Sequence, residues 1–209
     1  LSGVDSVRRA VRHERMAADL KTQVLEASVQ LIAEQGLSGL SMREVARRAG
    51  VSHQAPYHYF ADKESIVAAL VERGFTLLAD RLEVAAKTKG TITQRLAKTG
   101  REYVDFALDQ PVYFRLMFRP ELAQLGRFPE AVAAGGRAFA VLQALIEEKC
   151  AGQRVPPAKR DAMVSMHWGL VHGVSSLLVD GVLGQRFVSP QERDRHVTQV
   201  LELFTQAAG

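Results

Sequence analysis

The sequence predicts an all-α protein in two parts. Apolar residues recur every three or four positions over most of the 209 residues, and prolines stand near the starts of several such segments. No strand-length alternation bounded by turn residues competes with this pattern. Apolar residues make up 47% of the chain and charged residues 24%, which is ordinary for a globular protein with a substantial core.

Two short helices joined by a tight turn are predicted at residues 41–63. Ser41 suits the N-cap of the first helix, because its hydroxyl can accept from a backbone N–H two or three residues on. Gly50 stands where the chain must turn, and glycine takes a left-handed conformation without a side-chain clash. Ser52 can cap the second helix. Such a pair is a helix-turn-helix, which places its second helix in a DNA groove.

Pro56 disturbs that second helix. It has no N–H to return to the Ser52 carbonyl, and it biases Ala55 away from helical angles. We therefore expect an irregular first turn, tightened toward a 3₁₀ helix, and a short reading surface. The side chains on this surface can hydrogen-bond to base edges and phosphates. They are His53, Gln54, Tyr57, His58 and Tyr59.

The run VARRAGVSHQAPYHYFADKESI resembles the DNA-binding domain of the TetR family of bacterial repressors. The shared pattern is Ala–x–x–Ala–Gly–Val–Ser on a helix, followed by Tyr–x–x–Phe–x–x–Lys–Glu, and the resemblance runs from about Leu20 to Leu70. It implies that the flanking helices brace the reading helix. The positions that match the family's DNA contacts are Arg43, Ser52, His53, Gln54, Tyr57, His58, Tyr59 and Lys63.

Three segments are expected: residues 1–16, a helix-turn-helix domain at 17–63, and a helical ligand-binding and dimerisation domain at 64–209. The first is read either as a basic arm that follows the DNA backbone or as a solvated tail that precedes the natural start, since Met16 would begin a chain. Its basic side chains are Arg8, Arg9, Arg12, His13 and Arg15.

A long helix, capped by Asp62 and running into the 80s, is predicted to join the DNA-binding domain to the rest. An earlier helix precedes the helix-turn-helix, and five more follow the long one. Gly135 and Gly136 weaken one of these assignments. The predicted spans are 17–35, 91–109, 111–118, 129–149, 157–183 and 190–207.

Aromatic and methionine side chains gather between residues 106 and 118, and such a group can form either an adaptable pocket or an ordinary core. By resemblance, the family's C-terminal domain houses an inducer among such helices. Trp168 and His172 lie four apart, and the run HWGLVHGVSSLLVDG resembles the Trp–x–x–x–His–Gly type of C-terminal domain. A structural histidine packed near tryptophan is an equally good interpretation. The candidate ligand-binding residues are Phe106, Tyr113, Phe114, Met117, Phe118, Trp168 and His172.

Two apolar stripes occupy the last two helices. One includes His167, Leu170 and Leu178, and the other includes Val197 and Leu201. By resemblance, these helices, at about 157–183 and 190–207, pack against their copies as a four-helix homodimer interface.

Other chemistry finds little support. The formal charge of +4 is compatible with nucleic acid, and the single Cys150 suits a reducing cytoplasm. We expect no cofactor, no metal and no membrane helix, because metal spacing, a Gly-rich phosphate loop and a run of about 18 uninterrupted apolar residues are all missing from the sequence.

Together with this resemblance, the sequence predicts a cytoplasmic, homodimeric, ligand-responsive repressor that binds a palindromic DNA operator and is released by a small apolar or amphipathic effector. A helical ligand-binding or adaptor protein without operator binding is one alternative, and an activator with the same DNA-binding head is another. An enzyme is a poor third, because no ordered nucleophile–base motif is present.

Overall fold

A computed structural model describes residues 2–119, 121, 124–151 and 154–207, with side chains described from residue 19 onward apart from 125 and 207. The all-α prediction is confirmed, with eight α-helices and no strand in this part of the chain. The helices are α1 Ser2–Gln35, α2 Met42–Ala49, α3 Lys63–Ala86, α4 Ile92–Asp109, α5 Pro111–Met117, α6 Pro129–Lys149, α7 Pro157–Val179 and α8 Pro190–Ala207.

Most helix boundaries follow local signals in the sequence. Thr91 caps α4 in a reciprocal capping box with Gln94, since each side chain bonds to the other residue's backbone N–H. Asp62 accepts from the Ser65 N–H at 2.8 Å at the start of α3. Helix α7 ends at Val179, four residues earlier than predicted, because the chain turns at Gly181 with φ of 80°.

The first helix is longer than predicted. Helix α1 extends back to Ser2, so the backbone of residues 2–16 is helical. The basic side chains expected to form an arm lie outside the described side chains.

The chain divides into two compact units. The first comprises residues 1–70 and 119–128, and the second comprises 71–118 and 129–209. Helix α3 therefore begins in the first unit and ends in the second. In the first unit, α1 packs on α2 around Val24, Leu31 and Val45, all fully buried.

Helix α4 is the centre of the second unit, where it packs against α5, α6, α7 and α8. Val104 of α4 joins Leu178 of α7 and Val197 and Leu201 of α8 in one buried cluster. The stripes on α7 and α8 thus serve largely as core within one chain. Charging Leu178 or Leu201 would therefore disrupt the fold of the subunit before any contact between subunits.

Helix α7 remains apolar on its exposed side. By length and mean hydropathy alone it is the one helix in the described part of the chain that could cross a membrane, and 22% of its most apolar window is buried. Gly169 and Gly173 face open space, because a Cβ built on either would meet no atom within 4 Å. Met166 and Leu177 are 55% and 45% exposed on the same helix.

Candidate DNA-binding surface and ligand cavity

The first helix of the helix-turn-helix is capped as its sequence predicts. Ser41 Oγ accepts from the Glu44 backbone N–H at 3.2 Å, which satisfies one of the N–H groups left open at a helix start. Gly50 ends α2 in the left-handed region with φ of 69°. Helix α2 is therefore fixed at both ends by the two residues that predicted it.

The arginines of α2 differ in what they contact. Arg47 donates to Glu44 at 2.9 Å, and Arg48 donates to Glu34 of α1 at 2.6 Å. These guanidinium groups hold the pKa of each carboxyl below its ordinary value through the hydrogen bonds. Arg43 is exposed and has no ion pair with any described residue, which leaves its guanidinium available to a phosphate.

The segment after α2 is a 3₁₀ helix over Ala55–His58, and Ser52 is not its N-cap. The expectation that Ser52 caps the second helix is therefore wrong, and the tightened turn expected from Pro56 is confirmed. The cause is the proline, which lacks the N–H that an α-helix would direct to Ser52. The backbone N–H groups of Tyr57 and Tyr59 bond instead three residues back, at 3.1 and 3.0 Å.

This short 3₁₀ helix is anchored by buried residues and displays exposed ones. Ala55 and Pro56 are buried, whereas Tyr57 is 45% exposed and its ring lies 5.9 Å from that of His53. Six of the eight predicted DNA-contact residues are exposed on this surface and on α2. They are Arg43, Ser52, His53, Gln54, Tyr57 and His58.

The other two predicted contacts are partly buried. Tyr59 ends the 3₁₀ helix, and Lys63 begins α3. The Lys63 ammonium donates to the Leu37 backbone carbonyl at 2.7 Å, so it already holds the loop that precedes α2. Its charge stays near the surface, but its first role in the structure is to join α3 to that loop.

The second unit contains a cavity of about 540 Å³ between α3, α4, α6, α7 and α8. This volume is within the range of small-molecule sites, about 300–1,000 Å³. No Lys, Arg, Asp or Glu is among its lining residues. The side chains with a polar atom that line it are Thr99, Tyr103, His167, Trp168 and Thr205.

The cavity reaches the surface between α6 and α7. Val132, Phe139 and Trp168 line it and are 54%, 38% and 39% exposed, while most other lining residues are buried. The rings of Phe139 and Trp168 meet edge to face with centroids 5.8 Å apart. An apolar aromatic pair therefore flanks the opening.

Of the seven predicted ligand-binding residues, Phe118 and Trp168 line the cavity. His172 lies outside the lining, with its ring 4.5 Å from that of Phe118 and its Nδ1 3.0 Å from the Tyr103 hydroxyl. Burial raises the pKa of Tyr103 and lowers that of His172, so both are neutral near pH 7. The remaining four are buried in the core beside it: Phe106, Tyr113, Phe114 and Met117.

Sequence reasoning missed most of the lining residues, and two of those missed, His167 and Thr99, are buried and polar. His167 was read as part of an apolar stripe, and Thr99 was not singled out. The available signal was a polar residue on an otherwise apolar helix face, which indicates either a satisfied core group or a ligand contact. A metal site finds no support, because no three His, Cys, Asp or Glu side chains among those described are placed to hold one ion.

A helix-turn-helix unit followed by a helical unit with an apolar cavity defines the class of ligand-sensing DNA-binding regulators. Two family models match: residues 24–70 match the bacterial regulatory proteins of the tetR family, and residues 96–204, more than half of the chain, match the tetracyclin repressor-like C-terminal domain. This chain therefore belongs to the TetR family of transcriptional regulators, which are not enzymes.

Individual relatives agree with this assignment. The chain is 33% identical over 75 residues to the fatty acid metabolism regulator protein of Bacillus subtilis (strain 168), a match that covers 36% of this chain and 39% of that one. It is 33% identical over 87 residues to the HTH-type transcriptional regulator BetI of Rhizobium meliloti (strain 1021), covering 42% of each. Both matches thus span about two-fifths of the relative's length.

Solved structures share the fold over nearly the whole chain. A protein of unknown function from Rhodococcus sp. RHA1 has a TM-score of 0.74 and 27% identity, covering 90% of this chain and 93% of that one. FadR from Bacillus subtilis, solved in complex with stearoyl-CoA, has a TM-score of 0.70 and 20% identity, covering 88% and 97%. The second likeness shows the fold alone.

Proposed function

We propose that this protein is a homodimeric transcriptional repressor that binds a palindromic operator and is released by a small apolar or amphipathic effector. The observation that carries the proposal is the cavity of about 540 Å³ in the second unit, in a chain whose first unit is a helix-turn-helix. A cavity of this size leaves lining side chains without contacts, and a ligand restores them. The protein would act in the cytoplasm, where the operator DNA lies.

In this proposal the exposed residues of the first unit contact DNA. Gln54 carries a carbonyl and an amide, so it can bond to adenine at two points, while Arg43 neutralises a phosphate. Ser52, His53, Tyr57 and His58 supply further hydrogen bonds from the same surface. Tyr59 and Lys63 contribute less directly, because both are partly buried.

Helix α3 supplies the route between ligand and DNA. It begins at Lys63, whose ammonium holds the loop before α2, and it places Phe75, Leu78 and Leu82 in the cavity wall. A ligand that fits the cavity best when α3 is shifted would therefore favour a state that binds the operator less well.

The dimer would form through the exposed face of α7, with α8 beside it. Met166 and Leu177 expose apolar surface there, and Gly169 and Gly173 leave room for a second helix to approach closely. Two copies related by a two-fold axis would present two reading surfaces to half-sites about 34–36 Å apart, one helical turn of DNA.

The decisive experiment measures binding to the DNA that flanks the protein's own gene, with and without a panel of apolar and amphipathic compounds. We expect tight binding to a palindromic site by a dimer, and release by at least one compound that also changes the fluorescence of Trp168, which lines the cavity. Binding of compounds without any operator binding would favour the ligand-binding or adaptor alternative. Operator binding that recruits polymerase would favour an activator.

A further inference from the structure

The cavity wall contains two buried polar atoms without a hydrogen-bond partner among the described residues. They are Thr99 Oγ1 and His167 Nε2, and each residue is only 5% exposed. The third such atom, Arg95 Nε, is not in the cavity wall, and the other nitrogens of its guanidinium bond to the Ala86 carbonyl and to Glu148. Unsatisfied buried atoms are therefore concentrated at the cavity.

The other buried hydroxyls among the described side chains are satisfied. Ser28, Ser175 and Thr205 each donate to the carbonyl four residues back, at 2.7, 2.7 and 2.8 Å. Thr99 lies inside α4 and could do the same, yet its hydroxyl has no partner within the described residues. A hydroxyl of this kind can both donate and accept.

The hydrogen bond made by His167 fixes which of its ring nitrogens carries the proton. Nδ1 lies 2.7 Å from the Met163 carbonyl oxygen, and a carbonyl can only accept, so Nδ1 bears the hydrogen. In the neutral ring, Nε2 is then an acceptor. Burial lowers the pKa of this imidazole, which favours the neutral form. The cavity wall thus offers one acceptor that needs a donor.

We propose that the effector cavity is selective for a neutral apolar molecule carrying one hydroxyl group, which donates to His167 Nε2 and accepts from Thr99 Oγ1. This inference rests on the proposed function, because it names the ligand chemistry of the same cavity. Phe204 packs edge-on to the imidazole with centroids 4.8 Å apart and lines the same cavity, so a ligand bound beside His167 also contacts this ring. Gly100, next to Thr99 on α4, packs closely on Val171 of α7, because a Cβ built on it would lie 3.2 Å from Val171 Cγ1. Val171 follows His167 by one helical turn, so this contact brings the two helices together near both polar residues.

Carboxylates do not fit this wall. A carboxylate has no proton to donate to Nε2, and no lining residue is a cation that would compensate its burial. An ether can accept from Thr99 but leaves Nε2 unpaired.

The test compares three probes of nearly equal length: 1-decanol, 1-methoxynonane and decanoate. Binding is followed by the fluorescence of Trp168, the single tryptophan, without DNA. We expect the wild type to bind 1-decanol about tenfold more tightly than 1-methoxynonane, the cost of one unpaired buried acceptor, and decanoate most weakly. His167→Phe should bind the alcohol and the ether equally. Thr99→Val should weaken the binding of both probes and leave the difference between them nearly unchanged, because each of them can accept from Thr99.

Several outcomes would overturn the inference: equal affinity of the wild type for alcohol and ether, tightest binding of decanoate, no binding of any probe, or unchanged selectivity in His167→Phe. Thermal unfolding tests whether His167 has a purely structural role. Because His167→Phe removes an unpaired acceptor and keeps a ring, its midpoint should stay level or rise. A lower midpoint with intact selectivity would assign the histidine to the fold alone.

Operator release is measured separately so that the two proposals fail independently. If 1-decanol binds selectively but no probe releases DNA, the ligand inference stands and the proposed regulation fails. If decanoate releases DNA and 1-decanol does not, the regulation stands and the ligand inference fails.

Discussion

The first unit places its hydrogen-bonding side chains on the outside of a short 3₁₀ helix, whereas the second unit arranges its polar atoms around an apolar space. Gln54 and Tyr57 are exposed and contribute little to packing, while Thr99 and His167 are buried in the wall of the cavity. Contacts to a charged duplex can form on a wet surface, but an apolar molecule is held only where water is excluded. Substitutions at Gln54 or Tyr57 should therefore alter affinity alone, whereas those at Thr99 or His167 should alter both affinity and stability.

The largest effect is expected from a charge in the core of the second unit. Leu201→Asp buries a carboxylate among Val104, Leu178 and Val197 and should cost on the order of 4–5 kcal/mol, enough to unfold the unit. Val188→Asp is the control, because Val188 is 97% exposed. Circular dichroism during thermal unfolding distinguishes them, and a stably folded Leu201→Asp would refute the assignment of α8 to the core.

A charge on the exposed face of α7 should separate the subunits without unfolding them. Met166→Asp places a carboxylate on the proposed dimer surface and should give monomers by light scattering, with at least a hundredfold loss of operator affinity, about 2.7 kcal/mol. Val84→Asp, on the exposed side of α3, is the matched control. A dimeric Met166→Asp with unchanged affinity would move the interface elsewhere.

Within the reading surface, base contacts and phosphate contacts should separate by their salt dependence. Gln54→Ala should weaken operator binding by about 1–3 kcal/mol and leave random DNA and the salt slope nearly unchanged. Arg43→Ala should weaken both DNAs alike and reduce the slope by about 1. Neither change should shift the unfolding midpoint, because both side chains are exposed. Equal losses of affinity for operator and random DNA in Gln54→Ala would show that Gln54 does not read a base.

Acid should weaken the second unit through His167. Because burial lowers the folded pKa of this group, the unfolded chain, with a pKa of about 6.5, binds the proton more tightly. The stability that this group contributes is complete above about pH 6.5 and is lost as the pH falls through the lowered folded value. The charge of Lys149 also lowers the pKa of His167. Burial lowers the pKa of His172 as well, so this second histidine adds to the loss of stability in acid. His167→Phe should therefore show a smaller fall in unfolding midpoint on acidification than the wild type.

The smallest effect is a gain in stability. Gly136 lies inside α6 at the cavity, and a Cβ built there meets no atom within 4 Å. Gly136→Ala should stabilise the protein by about 0.5–1 kcal/mol, because alanine loses less backbone entropy in a helix. Gly74→Ala is the contrasting variant, since its Cβ would lie 2.7 Å from the Met117 sulfur. A Gly136→Ala variant that melts earlier would contradict the open space seen there.

Local signals made most of the fold predictable. Ser41, Gly50, Asp62 and Thr91 mark helix ends because capping involves residues three or four apart in the chain. Pro56 predicted the tightened turn for the same reason, since its missing N–H concerns only its own helix. Sequence was thus sufficient at most positions where the partner of a group lies within one turn, and Ser52, which does not cap the helix that Pro56 shortens, is the exception.

Long-range packing was not predictable in this way. An apolar stripe shows that a helix face is covered but not by what, so the stripe through Val197 and Leu201 was assigned to a partner subunit when it largely covers α4. The bond from Lys63 to the Leu37 carbonyl joins residues 26 apart, and the unpaired state of Thr99 depends on what surrounds it in space. The cavity itself is formed by five helices together, so no single segment of the sequence predicts it.

The first unit is assembled from two separate stretches of the chain, 1–70 and 119–128. The second stretch is attached to the beginning of α3, where the Glu64 carboxylate accepts from the Gln124 backbone N–H at 2.6 Å and from the Arg127 guanidinium at 3.0 Å. A hybrid biosensor built by grafting residues 1–70 onto a foreign sensor would leave those two partners behind. In the grafted unit the Glu64 carboxylate would then lack both of its hydrogen-bond donors. A functional graft should therefore include residues 119–128 together with residues 1–70.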